Sequence, residues 1–127
     1  MAWLLEDETA SYGDRVGDAI LRGEAIVPYL WHLEMANALL VCKRGKRIHG
    51  ALLFQYTEKA RRLPITVDEY MSARAFDTIM TFADEYALTI YDATYLELAM
   101  RRGLPLATLD RELLKAAKQA GVKIFTP

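Results

Sequence analysis

Twice in its second half the chain carries a short apolar run into an aspartate and then into a helical pattern. Residues 88–91, Leu-Thr-Ile-Tyr, stop at Asp92, and Tyr95, Leu96 and Ala99 then share one helical face. Residues 105–109, Pro-Leu-Ala-Thr-Leu, read as a buried strand and stop at Asp110; a helix over 111–119 follows, and Gly121 ends it. An extended run that feeds a helix is the unit from which parallel sheets are built. Open α/β sheets gather their functional groups at the carboxyl ends of strands, where these two acids stand.

The rest of the chain fits that unit. A helix is expected over 9–22, headed by Glu6, Asp7 and Glu8 and stopped by Gly23, with Tyr12, Val16, Ala19 and Ile20 at helical spacing. A short strand over 24–27 closes at Pro28. A second helix, 30–43, should bury Leu33, Ala36, Leu40 and Cys42 and end at Gly45. A third, 48–61, carries Leu52, Leu53 and Tyr56. Residues 63–67 are extended with Pro64 inside, the mark of an edge strand. Asp68 should cap a fourth helix running to about residue 82 or beyond. After the helix that Gly103 stops, a last strand is expected over 122–125. Alternating strands and helices predict a single α/β domain over 1–127, with a parallel sheet flanked by helices.

Composition limits the function classes. With 16 basic and 17 acidic residues the net charge is −1, so nucleic-acid binding would need a local basic patch. Lys43, Arg44, Lys46 and Arg47 are such a run. They suit RNA phosphates, and equally a helix C-terminus with compensating charge; Arg61-Arg62 and Arg101-Arg102 carry the same two readings. A single cysteine excludes a disulfide framework and a cysteine-based zinc site, fits a reducing cytosol, and reads as core. His32 and His49 lie too far apart in sequence to suggest a histidine metal site. No apolar run reaches the roughly 18 residues that cross a bilayer, and no basic region precedes the first apolar residues. A cytoplasmic protein without a membrane partner is therefore expected.

Three acids could carry chemistry: Asp92, Asp110 and Glu34, the last set in the apolar stretch of the second helix with Asn37 one turn on. Each has a plain alternative. Aspartate is among the best helix caps, and Glu34 could belong to a solvated face. Gathered at one end of a sheet, the three would repel one another unless a cation joined them. Oxygen ligands alone favour Mg²⁺ or Mn²⁺.

Three blocks carry a family resemblance. Pro28-Tyr-Leu-Trp-His-Leu-Glu34-Met-Ala-Asn37-Ala-Leu, Ile90-Tyr-Asp92-Ala-Thr-Tyr-Leu-Glu-Leu-Ala99 and Leu106-Ala-Thr108-Leu-Asp110-Arg-Glu-Leu resemble PIN-domain ribonucleases, most of all the toxin component of VapBC toxin–antitoxin pairs. The resemblance spans the chain. It implies a three-layer PIN fold with a five-stranded parallel sheet, and hydrolysis of RNA dependent on Mg²⁺ or Mn²⁺. By matching position, Glu34, Asp92 and Asp110 are acids of the metal site. Thr108 is the hydroxyl that orients it, and Asn37 is a supporting polar group. The implied partners are an RNA substrate, a cognate antitoxin held in a groove, and a second copy of the chain as a homodimer.

The blocks also depart from the family. Its opening strand, central in the sheet and ending in an aspartate, has no counterpart before Ala2, so a shortened domain lacking that strand is expected. Three functions are consistent with this: an active endoribonuclease; a remnant with weak or no metal binding that keeps the dimer and antitoxin surfaces; and a structure-specific DNA nuclease with the same carboxylate chemistry.

Overall fold

The computed structural model describes residues 10–126 except residue 24. The expectations for residues 2–8, for a strand before them and for the Tyr12 side chain lie outside the described residues. The chain forms two compact units, Met1–Thr66 and Val67–Pro127.

In the first unit, helix α1 (Ala10–Leu21) leads to Gly23, whose φ of 78° is the left-handed conformation expected of a glycine stop. Strand β1 (Ala25–Pro28) follows, then α2 (Leu30–Arg44) and α3 (Gly50–Arg61). β1 pairs with β2 (Ile65–Asp68), the strand in which the unit ends. Pro64 stands just ahead of β2 and not within it. The buried stripe of α2 is Trp31, Met35, Leu39 and Cys42, while Leu33 is 65% exposed and Leu40 and Ala36 are also exposed. The expected stripe is therefore corrected by part of a turn, with only Cys42 common to both. The reason is that α2 is apolar on almost every side, so its spacing does not single out a face.

The second unit corrects two further expectations. Asp68 is not a helix cap: it ends β2 and is 5% exposed. Residues 88–91 are not a strand. Thr89 is the N-cap of α6 (Ile90–Arg102), with Ile90 and Tyr91 already helical. Before α6 the chain is helical from α4 (Met71–Arg74) through a π-helical segment (Ala75–Ile79) into α5 (Met80–Glu85). The wider π turn shifts the helical register. Ile79 and Ala83 lie one turn apart in the core, and Phe76 is left outside.

Helix α6 lies between two apolar clusters. Ala93 packs with Ile79 and Ala83; Leu96 and Ala99 pack with Leu106 and with Leu113, Ala116 and Ala117 of α7 (Arg111–Ala120). The two strands expected at 105–109 and 122–125 are reduced to one parallel bridge, Leu106 to Ile124. Leu106 N–H donates to the Lys123 carbonyl at 2.8 Å, and Phe125 N–H to the Leu106 carbonyl at 2.8 Å. Among the described residues no helix is long and apolar enough to cross a membrane.

Glu97 on α6 is 2% exposed, and Asp68 is nearly as buried. Arg101 answers both. Its guanidinium donates to both Asp68 oxygens, at 3.0 and 2.6 Å, and its Nε donates to Glu97 at 2.7 Å. The planar fork matches a carboxylate in two bonds at once. Arg74 stands 3.5 Å from Glu97, and the Tyr70 ring lies 5.7 Å from the Arg101 guanidinium carbon. Arg101 is thus an internal tie and not a surface cation. Its hydrogen bonds hold the Asp68 carboxyl below the usual value of 3.8, against the opposing effect of burial. Arg101→Met is expected to cost about 3–5 kcal/mol near pH 7, because buried Asp68 loses its guanidinium and buried Glu97 keeps only Arg74. The depressed Asp68 pKa stabilises the unchanged protein above about pH 4, and that contribution is lost as the pH falls through the folded value. In the variant the stranded carboxyl takes up a proton more readily, so the difference should narrow on acidification. Urea unfolding near pH 7 and near pH 4.5 measures both effects.

Candidate active site

Asp92 and Asp110 occupy the starts of two helices, and different local chemistry fixes each. Thr89, extended at φ −66° and ψ 159°, caps α6: its hydroxyl oxygen accepts the Asp92 N–H at 3.1 Å. Asp92 is therefore the third helical residue, the position from which a side chain reaches back toward the cap. Asp110 is itself the N-cap of α7, and its Oδ1 accepts the Leu113 N–H at 2.8 Å. Thr108 holds the approach to that cap, its hydroxyl oxygen accepting the Asp110 N–H at 3.1 Å. Asp92 and Thr108 are half-buried and Asp110 is exposed.

The two acids sense each other. The Asp92 carboxyl is raised above 3.8, first by its burial and then by the negative charge of Asp110, while the Thr89 hydroxyl opposes the rise. Helix starts favour negative charge, so the rise means that burial and like-charge repulsion outweigh the local donors. A cation between the carboxylates would reverse that balance. Among the described residues no group of three or more His, Cys, Asp or Glu is gathered as a metal cage. Two carboxylates are nonetheless a fitting donor set for Mg²⁺, which keeps several waters and takes only one or two protein carboxylates beside substrate phosphates. Asp110 commits one oxygen to its cap, and a carboxylate has a second to offer.

The remaining expected residues belong to the first unit. Glu34 lies in the second turn of α2 and is half-buried; Asn37, one turn on, is exposed. Asp92, Asp110 and Thr108 thus come together in the second unit, with Glu34 and Asn37 on α2 in the first. His32 is exposed and meets the Trp31 ring edge-on at 5.0 Å, and Cys42 is core. Sequence reasoning missed Thr89 as a cap. The Thr-x-x-Asp spacing from Thr89 to Asp92 was the available signal. It also missed the Asp68–Arg101 tie: Glu97 and Arg101 are one turn apart and readable as a pair, whereas Asp68 is 33 residues away from Arg101.

Comparison with known proteins gives the chain a family. Residues 1–119 match the PIN domain. The chain is 31% identical over 99 residues to a protein of Pyrobaculum aerophilum named Exonuclease VapC9, covering 78% of this chain and 71% of that one. A crystal structure of the Pyrobaculum aerophilum protein PAE2754 superposes with a TM-score of 0.63 at 29% identity, over 85% of this chain and 71% of the other. A domain match over nearly the whole chain, joined by a relative aligned across most of both sequences, shows that this protein belongs to the PIN-domain family, in its VapC toxin branch.

Proposed function

We propose that this chain is a metal-dependent endoribonuclease, the toxin of a toxin–antitoxin pair. The observation that carries the reading is the approach of Asp92 and Asp110 at the heads of α6 and α7, close enough for one charge to raise the other's pKa. Membership of the VapC branch supports RNA as the substrate, an antitoxin as a protein partner, and a homodimer as the working form.

Asp92 and Asp110 would hold Mg²⁺ or Mn²⁺, and Glu34 stands as the third acid on the strength of the resemblance. Bound there, the ion supplies a water of lowered pKa and offsets the charge that develops on the phosphodiester under attack. The chain's own residues prepare the place. Thr89 fixes the first turn of α6, and with it the Asp92 backbone. Thr108 holds the Asp110 backbone in its cap conformation. The half-burial of Asp92 strips water from its carboxylate and so strengthens its attraction for a cation. Divalent-ion binding should therefore weaken as the pH falls through the raised Asp92 pKa.

Cleavage of a linear RNA should require Mg²⁺ or Mn²⁺ and stop on chelation. Asp92→Asn should lower it by at least about 100-fold, since even the loss of a hydrogen bond that supports a metal ligand costs roughly 10–100-fold. Thr108→Val should fall within that smaller range. A circular RNA separates endonucleolytic from exonucleolytic cutting, the latter being the activity in the relative's name; a DNA of the same sequence tests the sugar. Cleavage unchanged in Asp92→Asn would overturn the assignment of the site to Asp92, and no cleavage by the unchanged protein with either ion would leave a protein-binding module.

The same variant has a second signature. A carboxyl whose folded pKa is raised favours the folded state below its unfolded pKa, and that contribution is lost as the pH rises through the folded value. Without added metal, Asp92→Asn should therefore melt at a higher temperature than the unchanged protein near pH 7. The gap should close toward pH 4, as followed by circular dichroism.

A further inference from the structure

The turn between α2 and α3 carries more positive charge than the fold uses. Residues 35–57 contain no acid, yet they hold Lys43, Arg44, Lys46 and Arg47, a local charge of +4 in a chain of net charge −1. All four are exposed, and among the described residues none forms an ion pair. Lys43 and Arg44 lie in the last turn of α2, where cations complement the helix dipole. Lys46 and Arg47 lie beyond the cap and lead into α3, whose positive end gains nothing from them.

The way α2 ends makes the point sharper. Lys46 N–H donates to the Lys43 carbonyl at 3.0 Å and Arg47 N–H to the Cys42 carbonyl at 2.9 Å, the paired bonds of a Schellman ending. Lys46 takes its left-handed position at φ 58°, although a glycine stands one residue earlier. The same pair of bonds closes α6 and α7, with Gly103 and Gly121 at the left-handed position; α5 shares the longer bond, Leu88 N–H to the Ala83 carbonyl, with Ala87 at φ 54°. There the next residue is apolar: Leu88, Leu104 and Val122. Among the described helices with this ending, α2 alone places two cations where the others have a small residue and a hydrophobe. Lysine is disfavoured in that conformation, so its presence calls for a use outside the helix.

We infer that the α2–α3 turn is a phosphate-backbone contact surface for single-stranded RNA, engaging the substrate apart from the acids that cut it. The inference rests on the nuclease reading for the identity of the polyanion. An acidic protein segment would also meet positive charge, but lysine is depleted from protein interfaces and acts well as a hydrated point charge toward phosphate.

The test is equilibrium binding of a fluorescent single-stranded RNA to the full chain carrying Asp92→Asn, so that the RNA survives, across a series of salt concentrations. For single strands, the slope of log affinity against log salt falls by about 0.7 for each phosphate contact removed. Lys46→Gly should reduce the slope by about that amount. Lys43→Gln, Arg44→Gln and Arg47→Gln added to it should reduce it further by a similar step each. Lys46→Gly also relaxes the left-handed position, so its melting temperature should hold or rise while RNA affinity drops, which separates lost contact from lost folding. An unchanged salt slope in the fourfold variant would overturn the inference, as would a polyglutamate peptide that displaces the RNA at equal charge. Metal-dependent cleavage by the unchanged protein alongside an unaltered slope would retire this surface and leave the nuclease. RNA binding that depends on these four residues in a protein that cuts nothing would do the reverse.

Discussion

Helix α6 buries most of its middle, yet it carries Glu97 inside, and this is sustainable because Arg101 one turn later answers it, with Arg74 beside it at 3.5 Å. A buried acid without a partner would unfold the region or shift to its neutral form. Arg101 does more than neutralise. By gripping Asp68 in two bonds it ties the end of β2 to the last turn of α6. Ala93 on one side and Leu96 and Ala99 on the other then fix the helix's rotation. Once rotation and depth are set, Asp92 has one place left, half-buried at the first turn. The shift in its carboxyl follows from that placement, because burial is the larger of its two causes and the Asp110 charge the smaller.

Several local forces compete at the two helix starts, and their order is informative. The Thr89 hydroxyl and the free amides of the first turn favour an ionised Asp92. Burial and Asp110 disfavour it and prevail. A pair of acids kept together under repulsion is a poor arrangement for stability alone, and active sites are where such arrangements persist. The contrast with Asp68 is direct. That acid is more deeply buried, yet its pKa is lowered, because a guanidinium meets both oxygens. Burial does not decide whether a carboxylate is strained; the partner does.

How far the chain could be read from its sequence follows from how local each determinant is. Gly103 and Gly121 stop their helices at the expected places, and Asp110 caps α7, because a cap is settled within about four residues. Residues 88–91 misled: Leu88, Ile90 and Tyr91 have the composition of a strand, while a single threonine hydroxyl three residues before Asp92 sets the helix start. On α2 the error was of another kind. Leu33 and Leu40 are as apolar as Met35 and Leu39, and packing from elsewhere selects among them. Asp68 looked like a cap because its decisive partner is remote in sequence. Of the candidate site, Asp92 and Asp110 could be singled out because each stands at a helix start and Thr108 because of the resemblance, while the approach of the two acids needed the fold.

Asp110 serving as a cap does not disqualify it as a ligand; in the proposed site it would couple two equilibria. Its Oδ1 satisfies the Leu113 amide, one of the donors that the start of α7 leaves without a helical partner. A cation on the other oxygen draws electron density from the one that caps, which slightly weakens that bond, while it removes the repulsion from Asp92. The second effect would be the larger, since it acts between two full charges, one of them half-buried, and the first only on the strength of one hydrogen bond. Ion binding should therefore tighten the approach of α6 and α7, with Thr108 and Thr89 holding the two backbones as the carboxylates adjust. A metal site at these two helix starts, as proposed, would be rigid in its backbone and adaptable in its oxygens, which would suit a hard ion that must keep waters of its own.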